Sequence, residues 1–348
     1  MKKRPDGRWQ KSIKLPNGKR KVFYSTLPTQ RQAEADIMRQ AMSFKDKEEK
    51  GLLFAQVAEL WEEKHYETIE YQTAGRYKTL VKHATSRFDS HYIKEIKSTD
   101  IVAFLESLSM QGYSTKTIKD QFSVIKMIFR YAMQKMYIDI DPTLYVDIPK
   151  GTPKQVRHEL TKEEVKIIEN HASDSLMSLF AYFLVYTGLR KSEALALQWK
   201  DIDLQKKTIS VNKSIYYRGN QPDIKLPKTT AGLRNVILLD NLARMLKKGS
   251  DNSFVFSYNG KPMTLFKYTN EWKKYIKSIG INFTAHQLRH TFATVLFEAG
   301  IKEKDAQYLM GHSDISTTQN IYTHIRKNRT EETANKLNEF FSNSRHIS

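Results

Sequence analysis

The chain opens with two runs in which polar and β-prone residues alternate, RWQKSIKL (residues 8–15) and RKVFYST (20–26), joined by Pro16-Asn17-Gly18-Lys19. Asn-Gly supplies the positive φ angles of a tight turn, so the pair predicts a β-hairpin. Thr29 with Gln32 then forms a capping box, and Ala33, Ile37, Ala41 and Phe44 follow at helical spacing. Residues 1–48 therefore read as a small sheet with one helix. The polar run FKDKEEKG ends this piece at Gly51, as a linker or a frayed helix end. Beyond it the pattern is helical. One apolar stripe holds Phe54, Val57, Ala58, Leu60 and Trp61, another Ile101, Val102, Phe104, Leu105 and Leu108, and a third Ile118, Phe122, Ile125, Phe129 and Ala132, opened by Ser114 as N-cap. The segment 147–158, DIPKGTPKQVRH, has two prolines and a glycine and no apolar period, which marks an interdomain linker. After it, Thr161 and Glu164 form a second capping box. Helices then alternate with a short meander whose strands are TISVNKSIYY and RNVILL, the connecting PDIKLPKTTAGL being an exposed turn. The expected fold is mainly α with small β-sheets (α+β), in three domains: 1–48, 52–148 and 158–348.

Charge changes this picture first. The 348 residues carry 57 Lys+Arg against 38 Asp+Glu, a formal net charge of +19, which favours a polyanionic partner, with nucleic acid ahead of a membrane surface. The basic stretches lack the one-sided apolar stripe of an interfacial helix, and no run of about eighteen apolar residues occurs. No apolar segment follows the basic first residues, so no secretory signal is read and a cytoplasmic location is expected. The N-terminal sheet offers Arg8, Trp9, Lys11 and Lys14 to DNA, and the helix after Ser114 offers Lys116, Lys119 and Lys126. Both sets can equally be solvated surface.

The absence of cysteine excludes disulfides, thiolate metal sites and a thiol nucleophile. Four stretches of the last domain concentrate other reactive groups. In TGLRKSEALALQW, Arg190 falls at a helix start with Glu193 one turn later, placed to hold the guanidinium; taken alone this is a structural ion pair. In LPKTT, Lys228 lies on a turn, where a lysine is ordinarily solvated. In AHQLRH, His286 and Arg289 share a helix face, while His286 and His290 have the spacing of a helical zinc pair. Gln287 stands where a zinc protease needs Glu, and no third ligand follows, so no metal is expected. In GHSDISTTQNIYTH, His312 follows Gly311, and Tyr322 comes ten residues on. Two arginines, two histidines, a lysine and a tyrosine suit phosphoryl transfer without metal. Arginine forks match the non-bridging oxygens of a phosphodiester, a lysine can protonate the leaving oxygen, and a tyrosine can attack if a base and positive charge assist it.

These residues, in this order, resemble the active-site motifs of tyrosine recombinases of the phage-integrase type. The resemblance covers residues 158–325 directly; the helical domain is similar to the family's core-binding domain and the N-terminal piece to an arm-binding domain. It implies that Tyr322 attacks the scissile phosphate, forming a 3′-phosphotyrosyl link and freeing a 5′-hydroxyl. Arg190 and Arg289 would clamp the phosphate with His312, Lys228 would protonate the departing oxygen, His286 would take the tyrosine proton, and Glu193 would support Arg190. Lys225, on the same predicted turn, is the alternative lysine. The resemblance also implies double-stranded DNA with core and arm sites as partner, assembly as a tetramer on DNA, no cofactor, and help from an excisionase and a DNA-bending protein. The tail RKNRTEETANKLNEFF, with Ala334, Leu337, Phe340 and Phe341, would dock on a neighbouring protomer or on its own domain. A type IB topoisomerase and a non-catalytic DNA-binding regulator are the competing readings.

Overall fold

The computed structural model describes residues 1–323 except 16–17, 154–157 and 228–231, and beyond 323 only residues 325, 334, 337 and 338. Side chains of residues 46–49 are also undescribed. The chain divides into two compact units, Met1–Gln155 and Val156–Ser348.

In the first unit the hairpin expectation holds. Strands β1 (Lys2–Lys3), β2 (Trp9–Lys14) and β3 (Arg20–Ser25) form an antiparallel sheet in that order. The Pro16-Asn17 half of the turn lies outside the described residues, but Leu15 N–H donates to Lys19 O and Gly18 has φ +81°. Helix α1 (Gln30–Lys50) starts at the expected box, Gln32 N–H donating to Thr29 Oγ1 at 3.3 Å. Phe23, Ile37 and Ala41 are the buried centre of this piece. Four helices follow, α2 (Phe54–Tyr66), α3 (Tyr71–Phe88), α4 (Ser98–Met110) and α5 (Thr115–Gln134), around a separate core that includes Phe54, Trp61, Phe88, Leu105, Ile125 and Phe129. Ser114 caps α5 through Thr117 N–H, 3.2 Å. Two expected core positions differ. Leu60 is 37% exposed and Val102 half-buried, since each lies beside its helix's apolar stripe rather than on it. Helix α3, not singled out by pattern, contributes only Val81, Ala84 and Phe88 to burial.

The second unit starts with α6 (Lys162–Asn170), closed by the expected capping box: Glu164 N–H donates to Thr161 Oγ1, and Thr161 N–H to Glu164 Oε2. Helix α7 (Leu176–Thr187) is apolar nearly all round and forms the centre of the core. Its end at Gly188 (φ +62°) leads into the short α8 (Lys191–Ala194). Strands β4 (Ile202–Asp203), β5 (Thr208–Val211), β6 (Ser214–Arg218), β7 (Gln221–Lys225) and β8 (Arg234–Ile237) come next, then α9 (Asp240–Met245), α10 (Leu265–Ile279), α11 (Ala285–Glu298) and α12 (Glu303–Met310), with a further helix over residues 315–323.

The meander departs from expectation twice. TISVNKSIYY is broken at Asn212-Lys213, because both side chains turn to the buried Asp201; β5 pairs with β8, whereas β6 belongs to a second sheet. Part of the expected exposed turn is strand β7, paired with β6 through Gly219-Asn220. Tyr216 OH donates to Asp223 Oδ2 at 2.6 Å across this pair, and Pro222 is tolerated because β7 is an edge strand.

Candidate active site

A helix ends with carbonyls that have no partner within it, and cations are favoured there. Two helix ends of the second unit meet this need with arginine. At the end of α12, Leu309 O accepts from Arg234 Nε at 2.9 Å, Met310 O from Arg289 Nη2, and Gly311 O from Arg190 Nη2 at 2.8 Å. At the end of α7, Gly188 O accepts from Arg289 Nη1 at 2.7 Å. Both ends turn on a glycine in the left-handed region, Gly311 having φ +64°. Both glycines also lack room for a side chain. A Cβ on Gly188 would lie 2.1 Å from the Phe292 ring, and one on Gly311 2.6 Å from Arg234 Nη1.

One carboxylate serves two of these arginines. Arg190 is the N-cap of α8, as the sequence spacing predicts: its backbone N–H donates to Glu193 Oε2 at 2.9 Å and its Nη1 to Oε1 at 2.7 Å. Arg234 adds Nη1 to Oε1 at 3.2 Å and Nη2 to Oε2 at 2.9 Å. Burial alone would raise the Glu193 carboxyl, but the hydrogen bond and charge of Arg234, then Arg190, hold it below its ordinary value. Burial, helped by Arg190 and Arg234, pushes Arg289 down to about 9 against the pull of Glu193. The half-buried His312 is pushed down to about 4, by desolvation first and then by Arg289, Arg190, Arg234 and His290. It is a neutral imidazole at physiological pH, its Nδ1 2.9 Å from Thr318 Oγ1.

Two cavities open beside this cluster, and Arg190 lines both. One, ≈ 430 Å³, is also lined by Lys191, Trp272, His286 and Arg289; the other, ≈ 330 Å³, by Glu193, Lys213, Lys225, Gly311 and Ser313. His286 and His290 face each other, Nε2 to Nε2 at 3.1 Å, so one donates where the other accepts. Among the described residues no group of three or more His, Asp or Glu gathers as metal ligands. Lys228 lies outside the described residues; Lys225, at the end of β7, has its Nζ 5.6 Å from the Tyr216 ring centroid.

Tyr322 is placed differently. It is 2% exposed in a small apolar cluster with Phe292, Leu296, Ala306 and Met310. Its ring stands edge-on to Phe297, centroids 5.1 Å apart, and its hydroxyl donates to Ile301 O at 3.3 Å.

Residues 157–329 match the phage integrase family and residues 54–147 the phage integrase central domain. The XerC-like tyrosine recombinase of Caldanaerobacter subterraneus subsp. tengcongensis is 30% identical over 308 residues, which is 78% of each chain. This chain belongs to the phage integrase family of tyrosine recombinases. It is thus an enzyme that cuts and rejoins DNA. The ICEBs1 integrase of Bacillus subtilis is 26% identical over 74% of this recombinase and 75% of its own length. Among solved structures, the Tn1549 transposon integrase in complex with transposon right end DNA superimposes with a TM-score of 0.66 at 27% identity, covering 81% of this chain and 99% of that one.

Seven further positions complete the placement of the recombinase's candidate residues. Strand parity divides the N-terminal set. Trp9 and Lys11 are on the face of β2 turned to α1, with Trp9 packed in the apolar cluster and Lys11 Nζ 2.6 Å from Glu34 of α1. They are not on the outer face, which Lys14 shares with Arg20; Arg8 pairs with Asp6 at 2.7 Å and stacks over Tyr24. Lys116 lies 3.3 Å from Asp120, Lys119 is exposed and Lys126 half-buried. Sequence reasoning missed Arg234 and Thr318. Arg234 had a readable signal: in RNVILL it shares its face with the buried Val236 and Leu238, and a charge on a buried face requires a buried partner.

Proposed function

We propose that this recombinase integrates and excises a mobile DNA element through a covalent link on Tyr322. The observation that supports this most is the cluster at the two helix ends, where Arg190 and Arg289, beside the neutral donor His312, crowd positive charge that a phosphodiester would neutralise. Arg190 and Arg289 take the non-bridging oxygens, the place a metal ion would otherwise fill. With Nδ1 accepting from Thr318, His312 presents an Nε2 proton to the same phosphate. The Tyr322 oxygen forms the new P–O bond as the P–O5′ bond breaks; His286 accepts the phenolic proton and Lys228 supplies one to the 5′-oxygen. The bond energy stays in the phosphotyrosine, so a partner strand's 5′-hydroxyl reverses the step without ATP. In the state described here Tyr322 is buried, so attack requires its hydroxyl to leave Ile301 O.

The relatives that belong to mobile elements, ICEBs1 and Tn1549, support the element-borne reading. We assign residues 1–48 to arm sites, 52–148 to core sites and 158–348 to catalysis, with protomers assembling as a tetramer on paired sites beside an excisionase and a DNA-bending protein. The outer face of the N-terminal sheet, with Arg8, Lys14 and Arg20, is its DNA-facing side. Lys116, Lys119 and Lys126 contact the core site. Among the described residues no helix is long and apolar enough to cross a membrane, and we place the protein in the bacterial cytoplasm, on the nucleoid.

The test uses the DNA flanking the reading frame. A short direct repeat there identifies the element's joined ends, and a duplex of that junction is nicked just 3′ of the cleavage point so that the freed strand diffuses away. The wild type accumulates a covalent protein–DNA adduct and Tyr322→Phe does not. An adduct formed by Tyr322→Phe refutes the assignment, and relaxation of a plasmid without the site favours a type IB topoisomerase.

A further inference from the structure

Arg234 has no part in the scheme above, yet its side chain is among the most buried charges described, 1% exposed. Its guanidinium is held on three sides. Nη1 and Nη2 grip the two oxygens of Glu193, and Nε donates to Leu309 O. It cannot reach a phosphate, because Glu193, Gly311 and the end of α12 enclose it.

We infer that Arg234 is a positioning residue, which sets the charge and direction of Arg190 toward the scissile phosphate without touching DNA. Glu193 gives Arg234 a two-pronged grip and the Arg190 side chain a single hydrogen bond. Arg234 thereby occupies most of the carboxylate, leaving Arg190 with charge to spend on a substrate and a side chain 42% exposed beside two cavities. Three arginines and one glutamate leave the cluster at +2; without Arg234 it falls to +1, with Glu193 turned wholly onto Arg190. The second anchor of Arg190 depends on the same residue. Arg234 holds Leu309 O, fills the space where Gly311 would carry a Cβ, and so fixes the carbonyl of Gly311 that accepts from Arg190. This inference rests on the recombinase mechanism proposed above, in which Arg190 binds the phosphate.

A purely structural ion pair would also be buried and bidentate, so the test must read phosphate charge. The nicked junction duplex is prepared twice, with an ordinary scissile phosphodiester and with a methylphosphonate, in which a methyl group replaces one non-bridging oxygen and removes the negative charge. On the phosphodiester, Arg234→Met slows single-turnover adduct formation about 10- to 100-fold, with DNA affinity unchanged. On the methylphosphonate its rate comes within a few-fold of wild type, since little charge remains for Arg190 to stabilise. Arg234→Lys, which keeps the buried charge but not the fork, falls between and serves if Arg234→Met does not fold. A wild-type rate on the phosphodiester, or equal slowing on both linkages, overturns the inference. A wild type that forms no adduct, or an adduct from Tyr322→Phe, instead overturns the recombinase mechanism on which it rests.

Discussion

Gly188→Ala is the sharpest structural test of how the arginine cluster is held. Two penalties combine there. An L-residue at φ +62° costs about 1–2 kcal/mol, and a methyl group 2.1 Å from the Phe292 ring forces repacking worth about 1–3 kcal/mol. The smaller unfolded ensemble of alanine returns roughly 0.4–1 kcal/mol, which leaves a net loss of about 1–4.5 kcal/mol. For a unit of this size that is a fall in Tm of roughly 2–18 °C. Because the second penalty comes from one ring, it must couple to that ring. Thermal unfolding of Gly188→Ala, Phe292→Leu and the double variant therefore forms a cycle in which the glycine substitution costs at least about 1 kcal/mol less in the Phe292→Leu background. Additive losses would refute the close approach. A loss under about 0.5 kcal/mol, the level of an ordinary surface change, would refute the strained cap as well. Phe292 also packs in the Tyr322 cluster and Gly188 O anchors Arg289, so adduct formation falls in the same variant.

Other perturbations read other parts of the site. His312 takes up a proton near pH 6.5 when unfolded but only at about 4 when folded. Between those values the unfolded state binds more protons, so stability is full above about 6.5 and falls as pH drops toward 4. Discounted for partial exposure, the loss at pH 5 relative to pH 7.5 is about 1 kcal/mol; denaturation curves at both pH values should lose that component in His312→Gln. Phe297→Ala removes the ring that holds Tyr322 edge-on, an interaction worth about 0.5–1.5 kcal/mol, so adduct formation speeds up about 2- to 10-fold where release of the tyrosine limits it; slower formation would show that this burial does not restrain attack. Asp201→Asn leaves Lys213, 13% exposed, without its counter-charge, and unfolding free energy drops by roughly 3 kcal/mol; a loss below 1 kcal/mol would show that solvent replaces the pair.

The elements most legible in the sequence were those with local causes. The Thr29, Ser114 and Thr161 caps, the first hairpin and the apolar stripes all depend on residues within one turn or one strand of each other, and apart from Leu60 and Val102 they appear where the pattern put them. The Arg190–Glu193 pair was legible for the same reason, being three residues apart. Failures came where a distant group decided. Asn212-Lys213 breaks a strand that reads as continuous because Asp201 draws both side chains inward. Pro222 and Asp223 read as turn residues, yet Asp223 meets Tyr216 across a hairpin. Trp9 and Lys11 count as basic-aromatic surface until strand parity turns them toward α1.

The site motifs are scattered through the sequence, and the geometry gives the reason. Each of the two glycine-capped helix ends, Thr187-Gly188 and Met310-Gly311, exposes carbonyls that its own helix cannot satisfy, and each guanidinium comes from a different element: Arg190 from the turn after α7, Arg234 from β8, Arg289 from α11. An arginine bound to helix carbonyls keeps its whole charge, because a carbonyl orients the fork without neutralising it. Among the described residues, one carboxylate for three such arginines leaves a surplus that an incoming anion can balance. Motif reading finds the two arginines beside the cavities, since their neighbours are polar and unusual. It passes over Arg234 because a strand of apolar residues surrounds it, although a charge buried at that position is what allows Glu193 to hold Arg190 without cancelling it.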